Sequence, residues 1–473
     1  MNSSSIITRV GGRSFLAGLA VVTVPPASQA AEKEITLLNH MLQEKSADFR
    51  AWDIGAEFRA RQEIKDDAGV TPDTDFLSGI AESREAIYLR EKIHVGYKAS
   101  PWFSAFVEGR DASGHEDLKV DDMFDLHQAY LAFGNAKEFP LTARIGRQEM
   151  AYGDERFIGK ANWNNTGRSF DAIKLRMENP FGWVDAFTAR VVIPDDGNFN
   201  VSNDYDYLSG VYAGTKELMP WQETQVYFLA RNYGVKGPNA IAAGVPGSPT
   251  TQRDIYTFGT LWKSDPEAFC GWDYSVEAAL QFGSVFNAAQ NDRLDQQSHA
   301  FFACGGYTWK NAWGAPRLGL GYEYGSGDGN SNDGKVETFE NLFGTQHKPY
   351  GLMDLAGARN MHIPKLSFSI KPVKGLTFSA DCLAFMLATT DDYFYPESGS
   401  GRKTNGYGIH SSYGSHVGTE LDLYAAYKIN SWSGFELGYG HFFTGDYIDD
   451  TASAVASSTV DADWFHTQLT LTF

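Results

Sequence analysis

The sequence predicts an all-β fold, a single antiparallel transmembrane β-barrel of about 18 strands with long extracellular loops. Three observations predict it. Apolar and charged residues alternate in many short segments, no segment approaches the roughly 18 consecutive apolar residues of a membrane helix, and an alternating final strand ends in Phe473. A barrel combines these features because lipid-facing and water-facing residues alternate along each strand and cancel in any average of hydropathy.

The N-terminus predicts a secretory signal peptide over residues 1–30. Arg9 and Arg13 precede an apolar run at residues 15–24, and a small-x-small cleavage site follows at residues 28–30. The run of about 10 residues is too short to cross a bilayer, which needs about 20. We therefore expect cleavage at this site and not an N-terminal membrane anchor.

The mature chain divides into a short leader and one large unit. Residues 31–50 are expected to form a short periplasmic N-terminal segment, in which Ile35, Leu38 and Leu42 favour an amphipathic helix. Residues 51–473 are expected to form the barrel, because no linker and no change of composition divides them.

Composition restricts the function classes. The aromatic content of 14% and the 48 glycines are typical of strands and turns. Cys270, Cys304 and Cys382 lack metal-ligand spacing, so we expect them to be packing residues, and we expect no cofactor. The net charge of −19 argues against nucleic acid as a partner, but it leaves an anionic solute open because selectivity depends on local charge in a pore.

The segment from Trp52 to Glu63 shows the alternation most clearly. Five charged residues occupy one face of it, and a water-filled lumen solvates such a face whereas a soluble sandwich seldom contains one. The segment from Ile87 to Lys98 repeats the pattern, although Glu91 interrupts its apolar face. The cations that these two segments place in the predicted lumen are Arg59, Arg61, Arg90 and Lys92.

Similar strands recur to the end of the chain and give the count of about 18. At a spacing of about 4.8 Å and a tilt of about 40°, they enclose a cylinder about 35 Å across, which loops must narrow if the channel is to be selective. Long polar segments that are expected to supply such loops are residues 151–169, 234–251, 325–360 and 389–415.

The C-terminal strand indicates the destination of the chain. Phe465, Leu469, Leu471 and Phe473 share one face, and this ending resembles the recognition signal of the barrel-assembly machinery. The alternative is a buried edge strand that ends in Phe by chance. With the signal peptide, the pattern predicts the bacterial outer membrane, with outer-membrane lipid and the assembly machinery as partners.

One arginine-rich segment carries the functional signal. It reads RIGRQEMAYGDER from Arg144, then W-x-N-x-G-R-x-FDA from Trp163, and a second string begins at Tyr324 as YGSGD and ends at Leu355 as YGLMDL. Guanidinium groups concentrated in this way need anionic partners, either a carboxylate ligand or local acids. The strings resemble the alginate export family of outer-membrane proteins, in the family's order.

The resemblance implies a lumen lined by arginine and lysine, through which an acidic polysaccharide or its fragments pass, and it leaves room for a periplasmic export partner. The alternative for each residue is a structural ion pair in the wall. Strict alternation from Ile145 places Arg147 on the lipid side unless the strand ends or bulges there. The candidates carried over are Arg144, Arg147, Arg156, Arg168, Lys174 and Arg176.

Other readings remain open from the sequence. Asp328, Asn330 and Asn332 form a weak calcium-loop candidate, which departs from the helix-loop-helix pattern by one residue and is otherwise a solvated loop. A general or sugar-uptake porin of the same fold is the main alternative to polysaccharide passage. We expect no enzyme, but an outer-membrane lipase would need a Ser beside His441 or His466, and a secreted glycan-active enzyme would be soluble.

Overall fold

The barrel wall is a closed antiparallel sheet in the computed structural model, which describes residues 36–116, 122–195, 199–216, 218–219, 221–234, 252–265, 268–287, 292–397 and 399–473. The sheet closes because β1 (Trp52–Asp66) pairs with both β2 (Arg84–Ser100) and β19 (Ala462–Thr472). Of the 19 strands in these residues, all except the two-residue β14 (Lys335–Val336) form the wall. The predicted fold class and the count of 18 wall strands are therefore confirmed.

Each remaining wall strand pairs with the wall strands before and after it in the sequence, so β13 pairs directly with β15. The short β14, which comes between them in the sequence, pairs in parallel with β12. The remaining wall strands are β3 (Phe103–His115), β4 (Asp122–Phe133), β5 (Leu141–Gln148), β6 (Phe170–Glu178), β7 (Gly182–Ile193), β8 (Val201–Thr215), β9 (Gln222–Tyr233), β10 (Arg253–Ser264), β11 (Trp272–Phe286), β12 (Arg293–Thr308), β13 (Arg317–Gly325), β15 (Met361–Val373), β16 (Leu376–Leu387), β17 (His416–Lys428) and β18 (Ser433–Thr444).

Short helices flank the sheet. The predicted N-terminal helix is present as α1 (Leu37–Lys45), which a 3-10 helix at Ala47–Ala51 joins to β1, and α2 (Asp446–Ala454) precedes β19. Among the described residues, none of the helices has the length and apolar character needed to cross a bilayer. The predicted signal peptide at residues 1–30 lies outside the described residues, as does most of the predicted loop at residues 234–251.

The two ends of the barrel differ in the length of their connections. The end that contains the start of β1 and the C-terminus has short turns, such as residues 101–102 and 374–375. The opposite end has long loops, including residues 149–169, 326–360 and 388–415. Since barrels of the outer membrane have short periplasmic turns and long extracellular loops, this opposite end is the extracellular one.

Large apolar side chains cover the outer face. Ile87, Ile93 and Val95 of β2 are all exposed, as a lipid-facing band requires. Glu91 shares that face and lies directly opposite Asp111 of β3, so two acids are adjacent on the lipid side of the wall. All three cysteines are exposed, although Cys304 borders a lumen pocket with Arg156 and Glu277 instead of the outer face, and the prediction that they are packing residues is wrong.

The lumen contains an apolar core that the extracellular loops build. Phe157 and Phe339 come from loops and pack against each other and against Phe302 of the wall, while Phe343 of the long loop packs against Phe170 of β6. The loops therefore fold into the barrel and narrow it, as the predicted width requires.

The seam of the barrel includes the C-terminal residue. The N–H of Phe473 donates to the carbonyl of Ala56 at 2.7 Å, and the N–H of Ala56 donates back at 3.2 Å. The last residue of the chain thus extends the β1–β19 ladder that closes the wall.

Candidate solute pathway in the lumen

Two inward-folded loops fix the shape of the lumen. The inner loop (residues 149–169) and the long loop (residues 326–360) form a parallel bridge between Ile158 and Phe343. The N–H of Thr345 also donates to the carbonyl of Glu155 at 2.8 Å. Backbone bonds of this kind make the two loops one unit, so the charged groups around them have defined positions.

Three wall arginines hold the inner loop by its carbonyl groups. Arg59 Nη1 donates to the carbonyl of Asn162 at 2.7 Å, and Arg90 Nη1 donates to the same oxygen at 3.1 Å. Arg61 Nη1 donates to the carbonyl of Trp163 at 2.6 Å, and its guanidinium lies 3.8 Å from the centroid of that ring. The predicted lumen residues of β1 and β2 therefore anchor the loop that narrows the pore.

Carboxylates neutralise two of these three arginines. Arg90 Nη2 lies 2.6 Å from Glu57 Oε1, and Arg61 Nε lies 2.7 Å from Glu63 Oε1. Arg59 instead has Asn165 Oδ1 at 3.1 Å in addition to carbonyl groups. Within the part of the chain that the structure describes, no Asp or Glu oxygen lies within 4.0 Å of the Arg59 guanidinium.

Lys92 belongs to a buried network around His127. Its Nζ lies 3.5 Å from Glu149 Oε1 and 3.8 Å from Glu108 Oε1, and the ligand atoms of His127 and these two acids lie within 4.8 Å of one another. Arg110 Nη1 is 2.9 Å from His127 Nδ1, so Nδ1 must accept and Nε2 must donate, towards Glu149 at 3.0 Å. A metal ligand would need the opposite tautomer, so the network fits a neutral imidazole better than a metal centre.

Arg156 and Arg168 of the inner loop differ in their partners. Arg156 Nη2 reaches Glu323 Oε1 of β13 at 2.6 Å, and although burial lowers the pKa of Arg156, the charge of Glu323 raises it above its ordinary value. Arg168 Nη1 donates to the carbonyls of Gly159, at 3.3 Å, and Phe343. Burial lowers the pKa of Arg168 to about 10, so the group stays charged at neutral pH.

Arg144, Lys174 and Arg176 form a cationic group on β5 and β6. Asp185 of β7 lies 2.6 Å from Arg176 Nε and 3.8 Å from Lys174 Nζ. Arg144 is the cross-strand partner of Lys174, and its guanidinium lies 4.4 Å from the centroid of the Tyr130 ring. No carboxylate of a described residue comes within 4.0 Å of the guanidinium of Arg144.

Arg147 does not belong with the lumen cations. Arg147 lies two positions after Ile145 and therefore on the same outward face of β5. Its cross-strand partner is Asp171, which lies on the outward face of β6 with Ile173. Arg147 Nε and Nη2 bind the Asp171 carboxylate at 2.9 and 3.0 Å. The side chain of Arg147 thus points outward, as strict alternation predicts. Its inclusion among the pore-lining candidates is therefore corrected.

A second set of arginines surrounds Glu340 of the long loop. Arg231 Nη1 lies 2.9 Å from Glu340 Oε1, while Arg253 Nη1 and Arg359 Nη2 lie 2.9 and 3.0 Å from Oε2. The sequence does not indicate this set, because Arg231 and Arg253 lie 109 and 87 positions away from Glu340. The signal in the sequence is the alternation of β9, which places Arg231 on the same strand face as Leu229, a buried residue two positions earlier.

A cavity lies at the extracellular mouth. Its volume is about 430 Å³, and Arg61, Trp163, Arg168, His347 and Gly399 are among the residues that line it. The rings of Trp163 and His347 stack with their centroids 3.7 Å apart and an angle of 2° between their planes. The cavity thus combines flat aromatic surface with guanidinium groups.

The calcium-loop candidate uses its oxygens locally. Asp328 Oδ1 accepts from the N–H of Asn330 at 3.1 Å, and Asn330 Oδ1 accepts from the N–H of Asn332 at 3.2 Å. Asparagine and aspartate form such turns in solvated loops. These two bonds turn the side-chain oxygens towards backbone amides of the same loop, which fits the solvated-loop reading.

Comparisons with known proteins agree with this architecture. A family model described as alginate export matches residues 50–460. The crystal structure of Pseudomonas aeruginosa OpdK with vanillate has a TM-score of 0.56 at 11% identity, covering 89% of this chain and 98% of that chain. Pseudomonas aeruginosa OccK2 (OpdF) in complex with glucuronate has a TM-score of 0.54 at 12% identity, with the same coverage of 89% and 98%. No curated protein matches the sequence.

Proposed function

The chain belongs to the alginate export family, and from this premise we propose that its outer-membrane channel passes an alginate-like anionic polysaccharide or fragments of one. The observation that carries the proposal is a set of arginines whose charge no nearby carboxylate cancels. Arg59, Arg144 and Arg168 face the lumen or its loops, and no carboxylate of a described residue lies within 4.0 Å of their guanidinium groups. In a narrow space with few water layers, such charges attract anions.

The chemistry of similar barrels supports a carboxylate-bearing solute. The structures of OpdF with glucuronate and OpdK with vanillate each pair a barrel of this fold with a carboxylate anion. A general or sugar-uptake porin is the second candidate, and it would pass neutral and acidic saccharides alike. Passage of either kind needs no covalent chemistry.

The surroundings of the two histidines speak against a lipase. His441 is on the outer face, but its cross-strand partners are Leu421 and Asp463. His466 is fully buried, and its partners are Glu63 and Gly438. Among the described residues, neither histidine has a serine as its cross-strand or hydrogen-bond partner, whereas a nucleophile and its base lie within hydrogen-bond reach.

Purified protein in planar bilayers tests the proposal. We expect a permeability ratio that favours anions, and block of the current by oligouronates at concentrations where neutral oligosaccharides of equal length have no effect. A cation-preferring channel, or equal block by both kinds of saccharide, would contradict passage of an acidic polysaccharide.

A further inference from the structure

Three arginines from separate parts of the chain converge on the carboxylate of Glu340. Both of its oxygens are occupied, Oε1 by Arg231 and Oε2 by Arg253 and Arg359. Burial alone would raise the pKa of Glu340, but Arg359, Arg253 and Arg231 lower it to about 2, so the group is ionised. Among the described residues, Asp206 is the one further acid that forms an ion pair with this set, so three guanidiniums face two carboxylates there.

Two of the three arginines keep their positions through contacts other than Glu340. The Asp206 carboxylate binds Arg231 Nε and Nη2 at 3.0 and 2.7 Å. Arg359 Nε donates to the carbonyl of Phe339 at 3.1 Å, and its Nη1 donates to the carbonyl of Gly399 at 3.0 Å. These bonds would persist without the Glu340 carboxylate, so two of the three guanidiniums are preorganised for a carboxylate.

Arg253 is the least engaged of the three. Its guanidinium lies 5.2 Å from the centroid of the Tyr233 ring. Its buried Nε has no hydrogen-bond partner among the described residues. Arg253 therefore has a donor to spare for an anion that presents a different arrangement of oxygens.

The backbone of Glu340 is fixed independently of its side chain. Its N–H donates to Gln281 Oε1 at 2.9 Å, and its carbonyl accepts from Gln281 Nε2 at 2.8 Å. This pair of bonds holds the long loop against β11 when the carboxylate moves. Exchange of the carboxylate does not require the loop to leave the lumen.

The arginines are also within reach of the mouth. The side chains of Arg253 and Arg359 are each 22% exposed. The mouth cavity is lined by Arg168 and by Gly399, whose carbonyl binds Arg359. Arg168 thus lies at the cavity, and Arg359 connects the cavity wall at Gly399 with Glu340.

From this geometry we infer that Arg231, Arg253 and Arg359 form a carboxylate-binding site for the solute, which Glu340 occupies as an internal competitor. A uronate carboxylate from the mouth cavity takes the place of the Glu340 carboxylate, and Glu340 returns when the solute moves on. Net charge in the site is unchanged by the exchange. The identity of the solute rests on the proposed function, whereas the site itself does not.

Removal of the competitor tests the site directly. We expect Glu340→Ala to lower the unfolding temperature of the purified barrel, and we expect acetate or glucuronate to raise it saturably at constant ionic strength. Acetamide and glucose are the neutral controls, and the double variant Glu340→Ala/Arg253→Gln should lose the response. If acetate stabilises Glu340→Ala no more than it stabilises the wild type, the inference is overturned.

A second variant covers the case in which the alanine variant does not assemble. Glu340→Gln keeps the shape of the side chain, but its neutral amide competes less well for the arginines than the carboxylate does. Glucuronate should therefore block this variant at a concentration about fivefold lower than it needs to block the wild-type channel. An unchanged blocking concentration overturns the inference. A channel without anion preference would instead contradict the proposed function, and carboxylate-dependent stabilisation of Glu340→Ala would stand.

Discussion

Neutralising Arg144 should weaken the anion preference of the channel without disturbing the barrel. Its guanidinium contacts the Tyr130 ring and faces Lys174 across the strands, and no described carboxylate depends on it for a partner. Arg144→Gln therefore removes one positive charge and relieves repulsion with Lys174. We expect unchanged assembly and heat stability.

The size of the effect follows from Coulomb's law. A monovalent ion that passes about 6 Å from a guanidinium in water interacts with it by about 0.7 kcal/mol, and screening at 0.1 M salt leaves about 0.4 kcal/mol. Loss of Arg144 costs an anion that energy and relieves a cation of the same repulsion. The anion-to-cation permeability ratio should therefore fall about three- to fourfold.

Reversal potentials across a potassium chloride gradient in planar bilayers measure this ratio. Arg147→Gln is the matched control, because Arg147 lies three positions along the same strand but faces outward and binds Asp171. The control should leave the permeability ratio unchanged. A well-folded Arg144→Gln channel with the wild-type ratio, or an equal fall in both variants, would refute the assignment of selectivity to this part of the lumen.

Three further outcomes are expected. The pKa of Glu340, about 2 against an ordinary 4.5, means that this group contributes stability above about pH 4.5 that is lost as the pH falls towards 2. The free energy of unfolding should fall by on the order of 3 kcal/mol over this range. In Glu340→Gln the unfolding temperature should therefore fall less steeply with decreasing pH than in the wild type, and the same pH dependence in both proteins would contradict this. Replacing the lipid-facing Glu91 and Asp111 by leucine should stabilise the barrel by about 1–2 kcal/mol, seen as a higher temperature for the heat-modifiable band shift on gels. Phe473→Asp should lower the yield of assembled protein in the outer membrane, and a normal yield would count against the C-terminal assembly signal.

The wall could be predicted from the sequence because its rule is local. Each strand alternates between two environments, so Arg59 and Arg61 follow from Phe58 and Ala60 without knowledge of any partner strand. The same rule gives Arg147 its outward direction, and the structure agrees with the alternation rather than with the grouping of Arg147 among the lumen arginines. Local periodicity is sufficient wherever the residue belongs to a strand.

The contacts inside the lumen could not be predicted in this way. The partners of Arg156 and Arg231 are Glu323 and Glu340, which lie 167 and 109 positions away in the sequence. Loops carry no periodic signal, and which loop meets which wall strand depends on how all of them fill the barrel. Strings of the family pointed to Arg156 and Arg168, but the difference between a carboxylate partner and carbonyl partners appears only in three dimensions.

That difference decides what an arginine contributes to the pore. Glu323 cancels the charge of Arg156, so the pair acts mainly as a tie between the inner loop and β13. Carbonyl groups fix Arg59 and Arg168 just as firmly, but a carbonyl is a dipole without net charge, so each guanidinium keeps its full charge. The inner loop thus positions cations without neutralising them. We therefore expect a chain with a net charge of −19 to attract an anion locally, because the guanidiniums of Arg59 and Arg168 beside the inner loop have no carboxylate of a described residue within 4.0 Å.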